Sequence, residues 1–185
     1  MVLLYRIFTT FYFIRDIRIF LFLTSLTLVS TFLLPAISTY LMLRTWSLKA
    51  LELNERRERF GPYLITAAYY LFAFYLLKDF PAPSGMLRII RVFMLGATGS
   101  VVIAAVVNLF WKISAHSIAQ GGLCGTLLVL CLILPSPPLN LLYLCIFISG
   151  LVGWSRLKLQ AHSPAQIYIG FGLGWVCTVG MAFFL

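Results

Sequence analysis

Long apolar stretches separated by short polar breaks divide this chain of 185 residues into six segments, at roughly residues 18–43, 63–80, 88–110, 117–134, 139–154 and 164–184. Each approaches the ~20 residues that an α-helix needs to cross a hydrocarbon core of ~30 Å. The breaks differ in chemistry. Pro81, Pro83, Ser84 and Gly85 make one and Pro135-Ser136-Pro137-Pro138 makes another, while two further breaks each carry a histidine, His116 and His162. Pro35 falls inside the first segment and predicts a kink rather than an end, because neighbouring groups can re-satisfy the backbone that proline frees. Residues 1–14 are apolar apart from Arg6 and precede no small-residue cleavage site, so they read as an uncleaved interfacial segment.

Backbone polar groups inside a bilayer must bond to one another, which leaves helices or a closed barrel. The unbroken apolar runs lack the alternation of barrel strands, so the pattern predicts an all-α, integral membrane six-helix bundle with short loops, residues 1–185 forming one transmembrane domain. Six crossings put the N-terminus, the stretch from Lys78 to Arg91 and the loop at 135–138 on one side, called A. On side B they collect the segment from Arg44 to Pro62 and both histidine turns. Six of the fourteen Lys and Arg fall on side A and eight on side B. Setting aside Lys112, Arg156 and Lys158 as candidate site residues leaves five on side B, so charge asymmetry does not orient the bundle.

Composition sharpens this picture. A mean hydropathy of +1.00 with 10% charged residues departs from soluble proteins, where about 25% of residues are charged. The net charge of +9 is spread over helix ends rather than massed on one surface, which argues against nucleic acid as a partner and for anionic lipid headgroups. Cys124, Cys131, Cys145 and Cys177 sit in apolar runs without CxxC spacing and read as small core residues. Trp46, Trp111, Trp154, Tyr63 and Tyr168 lie near segment ends and read as headgroup-level anchors.

The candidate chemistry gathers in the two histidine turns. Ser163 suits a helix N-cap and Pro164 the first helical turn, placing His162 just ahead of a helix N-terminus, where free amides and the helix dipole favour an anion such as phosphate. The turn Lys112-Ile113-Ser114-Ala115-His116-Ser117 opens the fourth segment with small residues that let backbone amides come close to a ligand. Gly121, Gly122 and Gly125 follow on the same segment and predict close helix packing.

Ser114-Ala115-His116 resembles the PSGH signature, and Ser155-Arg156 with His162 and Gln166 resembles the SRxxxxxHxxxD signature, of the type 2 phosphatidic acid phosphatase family of membrane lipid phosphatases. The similarity covers roughly residues 63–185. It implies a metal-independent lipid phosphate phosphohydrolase without a cofactor, in which His162 takes the phosphoryl group as nucleophile and His116 protonates the leaving oxygen. It also implies that Arg156 clamps the phosphate and that Ser114, with nearby amides, binds another phosphate oxygen. Ser155, Ala115 and Gln166 support these groups.

Three departures separate the chain from the family pattern. Ile113 and Ala115 replace proline and glycine; Gln166 replaces the aspartate that orients the nucleophile; and the signature KxxxxxxRP is absent before His116. Gln accepts a hydrogen bond from an imidazole but brings no charge to it. Lys112 and the arginines Arg56, Arg57 and Arg59 are the candidate replacements for the missing cations, against the alternative of a Glu55–Arg59 pair on an interfacial helix. Glu55 or Glu58 is a candidate to orient His162.

The expected substrate is a lipid phosphomonoester or diphosphate, with phosphatidic acid, phosphatidylglycerol phosphate, a polyprenyl diphosphate and a phosphorylated glycolipid all admissible. The small loops suggest a bacterial inner membrane, and the resemblance implies a site on its outer face. The alternative function is a non-catalytic protein of the same descent that binds lipid phosphates or a partner. A transporter would need charges at mid-membrane, which the segments lack; Asn108 and Gln120 lie too near the interface to form a pathway.

Overall fold

The computed structural model describes residues 17–45, 59–80 and 84–184. Within them the chain is all helical: α1 (Ile17–Leu28), a π-helical turn (Val29–Leu33), α2 (Leu34–Thr45), α3 (Phe60–Lys78), α4 (Ser84–Phe110), α5 (Ala115–Ile133), α6 (Leu139–Lys158) and α7 (Pro164–Ala182). With α1 and α2 forming one continuous rod, these make six helices long and apolar enough to cross a membrane. Large apolar side chains such as Phe110, Leu132, Tyr143 and Phe147 point outward, as a lipid-facing surface requires. Residues 1–14, Trp46, Glu55, Arg56, Arg57, Glu58, Pro81 and Pro83 lie outside the described residues.

The π turn is the local answer to Pro35. A proline cannot donate to the carbonyl four residues back, here that of Thr31. The Leu34 N–H reaches back five residues to Val29, and the Thr31 carbonyl accepts instead from the Tyr70 hydroxyl at 3.4 Å. The first span thereby widens by one turn and is tied to α3.

The tightest packing joins α5 to α7, which run parallel with their N-termini level. Gly121 and Gly125 on α5 face Phe171, Trp175 and Thr178, while Gly170 and Gly174 on α7 face Ser114 and Ile118. A Cβ at Gly121 or Gly174 would collide with the backbone of the opposite helix, so the two helices touch main chain to main chain. Gly174→Ala is expected to force them apart and destabilise the protein by about 1–3 kcal/mol, the scale of over-packing. A thermal melt in detergent checks this, with Gly172→Ala, where a Cβ meets open space, as the neutral control.

The fifth segment extends beyond the limit that the sequence suggested. It runs to Lys158 rather than 154, because no breaker follows Trp154, and it ends in a Schellman turn. The Ala161 N–H bonds to the Arg156 carbonyl at 3.1 Å and the Gln160 N–H to Leu157 at 2.9 Å. Gln160 occupies the left-handed position with φ 52°. Ser155 and Arg156 therefore sit on the last helical turn, and the short reversal after them delivers His162 to the start of α7.

Candidate active site

The site forms where the α4–α5 turn, the start of α7, the end of α6 and the start of α3 meet. Ile113 is fully buried and packs with Ala104 and Ile118 against Tyr63, Trp111 and Leu173, anchoring the α4–α5 turn in the bundle. The Ser114 amide bonds to the Gln166 carbonyl at 3.4 Å, which ties one histidine turn to the other. This bond and the level N-termini of α5 and α7 set both turns at one end of the bundle.

Ser163 caps α7 and forms a capping box with Gln166. The Gln166 N–H donates to the Ser163 hydroxyl at 3.4 Å, and the Ser163 N–H donates to Gln166 Oε1 at 3.2 Å. Because a backbone N–H can only donate, the amide atom facing it must be oxygen. His162 Nδ1 lies 3.0 Å from that same oxygen and must therefore carry the proton. Gln166 thus fixes the tautomer, leaving the lone pair of His162 on Nε2.

His162 is 7% exposed. Burial pushes its pKa down to about 4; the positive charges of Arg59, Lys112 and Arg156 push the same way, while the Gln166 hydrogen bond opposes them. Lys112, half-buried beside Arg59 and Arg156, is also lowered, by burial first and then by those two charges. His116 is exposed at the mouth of the site and lies in the field of Arg156 and Arg59. Arg59 itself is 9% exposed and donates from Nη1 to the Ile113 carbonyl at 3.4 Å, reaching from the start of α3 to the α4–α5 turn. Arg156 keeps its Nε buried, with no hydrogen-bond acceptor among the described residues.

Of the residues that the sequence singled out, His116, His162, Arg156, Lys112, Arg59 and Gln166 come together here. Ser114 does so in a different capacity. It is fully buried, its hydroxyl accepts from the Ser117 N–H at 3.3 Å and pairs with the Ser117 hydroxyl at 3.0 Å, and so it caps α5 instead of opening toward a ligand. Ala115 follows as the first residue of α5. Ser155 is exposed on the last turn of α6. Tyr63 is a correction to the aromatic belt: its hydroxyl is buried and within range of the Arg59 charge, so it forms the inner wall of the site. Its sequence signal is only its spacing of four from Arg59, one helical turn away.

Among the described residues no carboxylate faces this cluster, and no group of three His, Cys, Asp or Glu is placed to hold a metal. Cys124 and Cys145 are free thiols with their sulfurs 3.1 Å apart at the α5–α6 contact. There Ser149 also donates to Gln120 at 3.1 Å.

A histidine whose pKa is lowered on folding binds its proton more weakly in the folded state than in the unfolded state. His162 therefore stays neutral at pH 7. Its contribution to stability is present above the ordinary value of 6.5 and is lost as pH falls through about 4. Two histidines per chain make this directly measurable: in histidine-selective NMR the signal absent from His162→Asn should titrate near 4. Gln166→Glu keeps the acceptor geometry and adds a negative charge, so it should move that midpoint up toward the ordinary histidine value. An unchanged midpoint would mean that residue 166 does not face the ring.

Six apolar helices define an integral membrane protein, and among the described residues two parallel helix N-termini, three cations and two imidazoles gather at one end of the bundle. Comparison with protein-family models, with curated proteins and with solved structures finds no match.

Proposed function

We propose that this protein is a metal-independent lipid phosphatase that hydrolyses a lipid phosphomonoester or diphosphate through a phosphohistidine intermediate. The observation that carries this reading is the His162–Gln166 contact, which leaves Nε2 unprotonated beside the positive charges of Arg59, Lys112 and Arg156. His162 Nε2 attacks phosphorus, the P–O bond to the lipid breaks, and His116 delivers a proton to the departing alkoxide. Water then attacks the phosphohistidine, giving inorganic phosphate and restoring Nε2, with His116 now accepting the water proton.

Arg156, Arg59 and Lys112 supply the positive charge that the phosphoryl oxygens need as the bond breaks. The buried Arg156 Nε, which finds no acceptor among the described residues, gains one in a phosphate oxygen. Arg59 takes the part of the missing cationic signature, while Arg56 and Arg57 belong to the same proposal from outside the described residues. We place the site on the outer face of a bacterial inner membrane, following the resemblance to the type 2 phosphatidic acid phosphatase family.

A second reading, a non-catalytic lipid-phosphate binder, is favoured by one observation: the neutral Gln166 brings no charge to stabilise an imidazolium at position 162. Phosphate release from a panel of lipid phosphates by the purified protein separates the two. Turnover together with a phosphoprotein that is trapped by alkaline denaturation and released by acid supports the enzyme, whereas binding of the same lipids without any phosphate release supports the binder.

A further inference from the structure

Of the six spans, α6 is the least enclosed, and it packs chiefly on α5. Its inward residues follow one face: Cys145 and Gly153 are buried, and Ser149, Val152 and Arg156 are half-buried. Phe147, Ile148, Leu151 and Trp154 between them point outward. At ~100° per residue, Arg156 lies within about 20° of both Cys145 and Ser149 around the helix axis. The rotation that turns those two toward α5 therefore also turns Arg156 toward the cationic cluster.

The polar part of this face meets polar partners on α5. Ser149 Oγ is 3.1 Å from Gln120 Oε1, and Cys145 Sγ is 3.1 Å from Cys124 Sγ. Cys124 Sγ also lies 3.4 Å from Ser149 Oγ, which links the two contacts. They stand one turn apart on each helix, the register of antiparallel neighbours. The Ser149 hydroxyl has one proton and a nearer acceptor in its own helix, the Cys145 carbonyl at 2.7 Å. A Gln amide can present either its oxygen or its NH₂, so the bond across the helices forms whichever acceptor takes that proton.

Apolar surface alone selects a helix rotation weakly in a bilayer, because lipid tails are as apolar as the neighbouring helix; a hydrogen bond between helices selects one. The reversal after Lys158 and the approach of Gly153 to Ile167 fix where α6 ends. The contacts at Ser149, about 10 Å along the axis from Arg156 at ~1.5 Å per residue, fix which way it faces.

We propose that the contact of Gln120 and Cys124 with Ser149 and Cys145 sets the rotation of α6 and so aims Arg156 into the site, making Gln120 and Ser149 positioning residues for phosphate. The inference rests on the reading of Arg156 as a phosphate ligand, but it is measurable by binding as well as by turnover.

A double-mutant cycle tests it, with wild type, Gln120→Leu, Arg156→Ala and the double variant. Each is assayed in detergent for hydrolysis of dodecyl phosphate and for the Kd of dodecylphosphonate. Gln120→Leu should lower kcat/KM and weaken binding about three- to tenfold, the scale of one hydrogen bond between membrane helices. In the Arg156→Ala background the same substitution should cost less than twofold, because the group that it positions is gone. Ser149→Ala should repeat both results and carries the comparison if Gln120→Leu fails to fold.

Losses that add in full to that of Arg156→Ala would overturn the proposal, since a general loosening of the bundle does not depend on residue 156. Wild-type values in both single variants would overturn it as well. If wild type binds the phosphonate without hydrolysing the phosphate, the phosphatase reading fails and the Kd cycle decides the positioning role by the same criterion. Absence of both hydrolysis and binding in wild type overturns the two together.

Discussion

Replacing His162 by alanine is expected to lower kcat for phosphate release by about 10⁴-fold or more, the scale found when an enzyme loses its nucleophile. The expectation follows from position and proton. The ring is buried, Gln166 holds the proton on Nδ1, and Nε2 is the lone pair left to react. Folding should survive the substitution, because the Ser163–Gln166 capping box and the Ser114–Gln166 backbone bond do not use the ring. Measuring phosphate release alongside a thermal melt tests both statements. A His162→Ala variant that melts like wild type and still releases phosphate at a comparable rate would remove His162 from the reaction.

The second large effect belongs to His116, and it depends on the substrate. A general acid contributes about 10²–10⁴-fold when the leaving group is a poor one such as an alkoxide. His116→Ala should therefore lose that factor with an alkyl phosphate. With a nitrophenyl phosphate ester, whose leaving group departs without protonation, the same variant should work nearly as well as wild type. Equal losses on both substrates would instead make His116 a phosphate ligand. Its exposure at the mouth of the site, in contrast to the burial of His162, suits a group that meets the leaving oxygen on the lipid side.

Much of the fold is written in local features. Apolar runs near the span length give the six helices, Ser163-Pro164 marks the start of α7, and Gly121 and Gly125 announce a close contact. Errors fall where local and tertiary signals differ. The end of α6 lies four residues beyond the apolar run because charged residues continue a helix as well as apolar ones until a left-handed position, here Gln160, stops it. Ser114 looks like a ligand in sequence, yet a serine immediately before a helix has a prior use as its cap. Tyr63 looks like a headgroup anchor because segment ends usually carry such rings, and only the turn of α3 shows it facing Arg59.

The sequence by itself determined the membrane-spanning helical class and named the candidate groups, since burial of apolar runs in lipid and the proton chemistry of imidazole are properties of the residues alone. Which groups share one site was decided by the tertiary structure. Parallel packing of α5 on α7 through glycine brings positions about fifty apart in the chain to one level, and Arg59, at the start of α3, reaches that level and donates to the Ile113 carbonyl. The local setting of Gln166 is tertiary in the same way. As a residue type it is a neutral amide, but held by its capping box it becomes the acceptor that places the proton of His162 on Nδ1.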